Sequence, residues 1–236
     1  MPKNAITIIG DIERCWLFAY RIPAQQLTDQ APKPLQLVTK GGFGFVNVVI
    51  SELAHIRPLG LPAFVGMRYW HIAYRIYVRF CPQAADPIEG LYFLRSDADS
   101  RMMVAGGNLL TDFRFHVCRV ENRQSGTERT LKVDSSDAPA IVRLCYAMEP
   151  QVALGSPFAD LNEAQAFLKY KPAGISVNRR GVDVLRITRD EAAWRSKLIH
   201  VVDADFAFLK PFDATLEACY EVEPVHYRWN RAERYY

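Results

Sequence analysis

The twelve residues from Tyr69 to Phe80, "YWHIAYRIYVRF", limit what this chain can become more than any other stretch. Side chains along a β-strand point to opposite faces in turn. Trp70, Ile72, Tyr74, Ile76, Val78 and Phe80 therefore share one face, and Tyr69, His71, Ala73, Arg75, Tyr77 and Arg79 share the other. The first face is built for burial. The second has two readings. On an open sheet it is wetted by solvent. In a closed barrel it points inward, and His71, Arg75 and Tyr77 line a cavity. A guanidinium removed from water needs a partner, so an inward Arg75 implies an anion or a carboxylate beside it.

The rest of the chain repeats the strand signal with few helices between. "GGFGFVNVVIS" and "IEGLYFLRS" read as strands. "FRFHVCRVE" and "ERTLKVDS" form a hairpin around "NRQSGT", "GISVNRRGVDVLRI" forms another that turns near Gly181, and "IVRLCYAM" and "HVVDADFAFL" are further strands. "CWLFAYRI" precedes a short helix in "PAQQLTDQ", and "LNEAQAFLKY" is a second helix. "DADSRMMVAGGNLL" is a third, capped by Asp99 or Ser100, with Met102, Met103, Gly106, Leu109 and Leu110 on one face and Asp97 near its start. Glycine costs about 1 kcal/mol against alanine inside a helix, so Gly106 and Gly107 imply close packing there or a shorter helix. This order of elements predicts one α+β, barrel-like domain over residues 1–236.

The strand after that helix poses the same question as the first. Phe113, Phe115 and Val117 alternate with Arg114, His116 and Cys118. Arg114 and His116 are surface residues, or they face the cavity of Arg75. In the second case the site is cationic and aromatic, which suits a small carboxylate, because a guanidinium grips a carboxylate by two parallel bonds.

The segments "YRIYV" and "GLYFLRSDADS", within a run from Trp16 to about Lys169, resemble the domain of unknown function 2071 family of the acetoacetate-decarboxylase-like superfamily. The resemblance implies a closed, cone-like barrel of mainly antiparallel strands with helices packed outside and a small pocket within. In the decarboxylases of that superfamily a lysine after the helix forms an imine with the substrate ketone. Aligned on that segment, this chain has Arg114 at the lysine position and His71 at a strand glutamate. Arginine keeps its proton in proteins, so the resemblance implies a protein that is not an imine-forming decarboxylase. Lys169 and Lys171 are ordinary surface lysines before a turn.

Other signals narrow the function by exclusion. A net charge of +3 predicts no strongly acidic partner and no nucleic acid. No apolar run reaches the length of a membrane span. Five scattered cysteines without a C-x-x-C pair predict reduced thiols in a cytoplasmic protein. The five histidines show no metal-binding spacing, and "GGFGFV" lacks the third glycine of a dinucleotide loop, so neither a metal nor a cofactor is expected. The aromatic and basic tail "HYRWNRAERYY" packs on the barrel or on a second subunit of a homo-oligomer. The expected role is binding of a small organic anion. Arg75 and Arg114 hold its charge and Tyr77, Tyr92 and Phe113 shape the pocket. The alternatives are an enzyme acting on a small carboxylate or lactone with His71 or His116 as general base, and a structural subunit whose barrel is filled.

Overall fold

The computed structural model describes residues 4–83, 85–169, 171–192 and 194–236. Its first half is built from long, apolar, β-branched and aromatic runs: β1 (Ile8–Pro23), the short β2 (Gln36–Leu37) and β3 (Thr39–Lys40), then β4 (Phe43–Pro58), β5 (Met67–Phe80) and β6 (Ile88–Ala98). A helical turn, α1 (Ala24–Leu27), follows β1, and α2 (Arg101–Leu110) follows β6. Next come β7 (Phe115–Ser125), β8 (Glu128–Ser135), β9 (Ala140–Cys145) and α3 (Leu161–Leu168). The chain ends with β10 (Ala173–Asn178), β11 (Gly181–Arg189), β12 (Ser196–Leu198), β13 (His200–Phe206), β14 (Thr215–Val222), β15 (Val225–Trp229) and β16 (Glu233–Tyr235).

Seven of these strands close on themselves in the order β5, β6, β10, β11, β15, β1, β4, and β4 returns to β5. Most neighbours are antiparallel; β6 pairs in parallel with β10 near Leu91–Tyr92 and with β7 near Ser96–Ala98. Strand β6 therefore has two partners along one edge. Beyond Ser96 that edge passes to β7, and the sheet β7–β8–β9–β13 leaves the ring there and folds back over its outside. This resolves the two readings of the Tyr69–Phe80 strand. Ile72, Tyr74, Ile76 and Val78 pack against residues of the covering sheet such as Leu131, Val142 and Phe206, while Tyr69, His71, Ala73, Arg75 and Tyr77 turn into the ring and are buried as well. No helix among the described residues is long and apolar enough to cross a membrane. The tail is part of the ring and its margin: β15 pairs with β1 and β11, and β16 with β11.

Helix α2 begins at Ser100, whose hydroxyl accepts the Met103 N–H at 3.2 Å. Neither aspartate caps it. The Asp99 carboxylate accepts the Trp70 N–H at 2.8 Å, and Asp97 lies within β6, fully buried and paired with Arg95. The expected apolar face is also redrawn, for Met102 and Leu109 are exposed and Gly107 is the buried residue of the helix. The two glycines differ in cause. A Cβ on Gly107 would come within 2.5 Å of the Phe115 ring, whereas a Cβ on Gly106 would meet nothing within 4 Å. Gly106→Ala is expected to stabilise the protein by up to about 1 kcal/mol through helix propensity. Gly107→Ala is expected to destabilise it by about 1–3 kcal/mol through overpacking. Urea midpoints of the two variants check this pair, and equal shifts of the same sign would contradict it.

Candidate functional site

The inward face of β5 carries the chemistry. Asn47 on β4 and Arg75 on β5 are partners in the ladder, and Arg75 Nη2 donates to Asn47 Oδ1. The Arg75 guanidinium also lies over the Phe93 ring, 5.6 Å from its centre, a favourable position for a cation on an aromatic face. Four residues earlier on the same face, His71 stacks on Phe115 at 5.4 Å. Both His71 and Arg75 are only 5% exposed. His71 Nε2 is buried and has no hydrogen-bond partner among the described residues. Burial, and then the neighbouring Arg75 charge, push the imidazole pKa down to about 3, so the ring is neutral at physiological pH.

These groups line a cavity of about 60 Å³ inside the ring, about the liquid volume of two waters and space for a group the size of acetate. Arg189, the last residue of β11, enters the same lining together with Ser51, Cys15 and an apolar wall that includes Phe93 and Trp229. Its guanidinium lies 3.4 Å from the centre of the Trp194 ring. Arg189 Nε donates to Oε1 of the largely exposed Glu191 carboxylate at 3.0 Å, and Nη2 donates to its Oε2 at 3.4 Å. The Cys15 thiol is pushed up to about 12 by burial, partly offset by Arg75 and Arg189, so it is a neutral wall atom. The lining therefore presents two guanidinium groups and a neutral imidazole, with neither lysine nor acid among its described residues.

The remaining sequence candidates are spread over the molecule. Phe113 is buried behind the cavity wall, stacked on Phe93 with ring centres 4.0 Å apart. Tyr77 lies further along the inward face, where its hydroxyl donates to the Leu168 carbonyl of α3 at 2.7 Å. Arg114 does not share the cavity with Arg75. It is exposed, with φ +55°, and donates to the Tyr92 hydroxyl at 3.3 Å across a separate outer cleft. Tyr92 belongs to the outer face of β6, and His116 is exposed beside Asp97. The reason is local. Phe113 and Phe115 both turn inward, and the Asn108 side chain holds Phe115 through its N–H and its carbonyl, each at 2.8 Å. The residue between them is thereby thrown outward. Lys169 borders another cleft, and Lys171 pairs with Glu89 at 2.9 Å.

Sequence reasoning missed Arg189, Ser51, Cys15 and Trp194. For Arg189 a signal existed. Leu185, Ile187 and Arg189 are spaced by two, and the first two pack in the inward cluster, so continuing that alternation by one step places the arginine inward. Trp194 follows the end of the strand and carries no periodic signal.

A family described as DUF2071, an uncharacterised conserved protein, matches residues 11–228. No curated protein matches the sequence. Among solved structures, acetoacetate decarboxylase from Legionella pneumophila superposes with a TM-score of 0.65 at 12% identity, covering 98% of this chain and 87% of that one. An acetoacetate decarboxylase-like enzyme from Sphingomonas wittichii gives 0.61 at 12% identity over 98% and 93%. The enduracididine biosynthesis enzyme MppR, complexed with the condensation product of pyruvate and imidazole 4-carboxaldehyde, gives 0.61 at 9% identity over 99% and 90%. At such identities the likeness establishes the fold alone.

Proposed function

The chain belongs to the DUF2071 family, and on that premise we propose that it binds a small organic anion, a carboxylate of two or three carbons, inside the ring. One observation carries this reading: Arg75, Arg189 and the buried, unpartnered Nε2 of His71 belong to one cavity. Arg75 presents a guanidinium to a carboxylate, and Arg189, whose Nε and Nη2 hold Glu191, adds a second positive charge to the lining. The neutral imidazole contributes a hydrogen bond without adding a third charge. Phe93, backed by Phe113, supplies the apolar wall. The MppR structure with pyruvate is a carboxylate complex of the same fold, which supports the reading by analogy only.

The unpartnered Nε2 also favours a second reading, in which His71 moves a proton on the bound acid. That reading is weaker, since a general base works best with a pKa near the operating pH and the His71 imidazole sits at about 3. His116 and Arg114 play no part in this cavity, and the reading requires no imine.

A thermal-shift panel of acetate, propionate and butyrate, with chloride and sulfate as controls, tests the proposal. At a hundred times its Kd a bound acid adds about 2.7 kcal/mol, hence roughly 5–10 °C in Tm for a domain of this size. Arg75→Ala is expected to remove the rise. A panel without any shift, or an equal shift in the variant, rejects the proposal.

A further inference from the structure

The cavity has a larger neighbour. A surface cleft of about 430 Å³ is bordered by Asn162, Gln165 and Lys169 around α3 and by Arg195, Ser196 and Tyr220. Leu17 and Trp194 line both spaces. These two side chains therefore stand where cavity and cleft adjoin. They differ in how firmly they are held. Leu17 is 6% exposed in the long strand β1, paired on one side with Val49 of β4 and on the other with Tyr220 of β14. Trp194 is half-buried beyond the end of β11, where its ring lies 3.4 Å from the Arg189 guanidinium and packs against a cluster that includes Cys15, Leu17 and Val49. The contact thus sets the indole beside Arg189 at the junction of cavity and cleft.

We propose that Trp194 is the residue that limits ligand length: its ring, stacked on Arg189, confines the cavity to short carboxylates, and without it the cavity opens into the cleft and admits longer acids. The inference rests on the anion-binding reading above and adds a size limit to it. The carboxylate end of a longer acid stays with Arg75 and Arg189, and its chain runs past Leu17 into the cleft. Each methylene moved out of water there raises affinity by roughly fourfold, so affinity rises with chain length once the ring is gone. With the ring in place the same methylenes have no space, and affinity falls.

Straight-chain monocarboxylates from acetate to octanoate, titrated calorimetrically into the wild type, Trp194→Ala, Trp194→Leu and Trp194→Phe, test this. The wild type and Trp194→Phe are expected to bind acetate and propionate best and to lose at least roughly tenfold by hexanoate, and Trp194→Ala and Trp194→Leu to gain at least roughly tenfold for hexanoate. Trp194→Leu is the milder truncation and decides the matter if the alanine variant fails to fold. Unchanged chain-length profiles in variants that still bind acetate overturn the role of Trp194 and leave the anion site standing. Failure of every protein to bind any acid overturns the anion site itself, and this inference falls with it.

Discussion

Arg95→Met is expected to lower the free energy of unfolding by roughly 3–5 kcal/mol, because it strands a buried carboxylate. Arg95 and Asp97 sit two apart on β6 and face the same way. Arg95 Nε donates to both oxygens of Asp97, at 3.1 and 3.0 Å, and Nη2 donates to Asp97 Oδ1 at 2.8 Å. Nη2 also reaches the Ser135 hydroxyl of β8 at 3.1 Å, and Nη1 the Asp137 carboxylate at 2.9 Å. Asp97 is fully buried. Its burial raises the carboxyl above the usual carboxylate range, and the Arg95 bonds pull against that rise. The network stands where the covering sheet leaves the ring, so its loss loosens the join between the two. Against a total stability of about 5–15 kcal/mol, the expected loss is severe. Replacing both partners, Arg95→Met with Asp97→Leu, removes the charge along with its partner and is expected to recover most of it. Urea unfolding of the single and double variants is the check. A single variant within about 1 kcal/mol of the wild type would show that the pair carries little weight.

A marked loss of stability on acidification, traceable to His71, is the second large effect. The folded imidazole has a pKa of about 3 against 6.5 for the free side chain. Between those values the unfolded chain takes up a proton that the folded protein refuses. The contribution is therefore complete above about pH 6.5 and shrinks as pH falls toward 3. Its full size is on the order of 5 kcal/mol, and about 2–3 kcal/mol of it is gone by pH 4.5. His71→Phe removes the titrating group, and its ring suits the contact with Phe115. The wild type minus variant difference in unfolding free energy should shift by that amount between pH 7 and pH 4.5, with the variant gaining on acidification. Parallel curves for the two proteins would mean that the imidazole is not held neutral.

How much of this was legible beforehand follows from periodicity. The alternation of Tyr69–Phe80 was enough to separate its two faces, and the resemblance of "YRIYV" and "GLYFLRSDADS" was enough to choose a closed ring over an open sheet. Alternation by itself could not show that both faces are buried, because that depends on β7–β9 and β13 folding back over the outside. Arg114 was misleading for a related reason. Its spacing from the helix matched the imine position of the decarboxylases, but a left-handed turn, with a phenylalanine turned inward on either side of it, decided which side chain entered the ring. Burying two phenyl rings is favourable where burying another guanidinium is costly. Arg189 was readable one step beyond where the β11 pattern was followed. Strand β14, "TLEACYEV", pairs with most of the second half of β1 but carries a weak strand signal. Its acidic residues dilute the apolar signal. Glu217 is nonetheless buried as the partner of Arg21, a pairing of residues far apart in the chain that no local pattern announces.

The central claim is that the ring holds a small carboxylate at Arg75. Its most direct test is calorimetric titration of propionate into the wild type and into Arg75→Met, in a carboxylate-free buffer at pH 7, with the fold of the variant checked by near-ultraviolet circular dichroism. Saturable binding of one propionate per chain is expected in the wild type and none in the folded variant. Equal binding by both proteins, or no binding by the wild type, would contradict it.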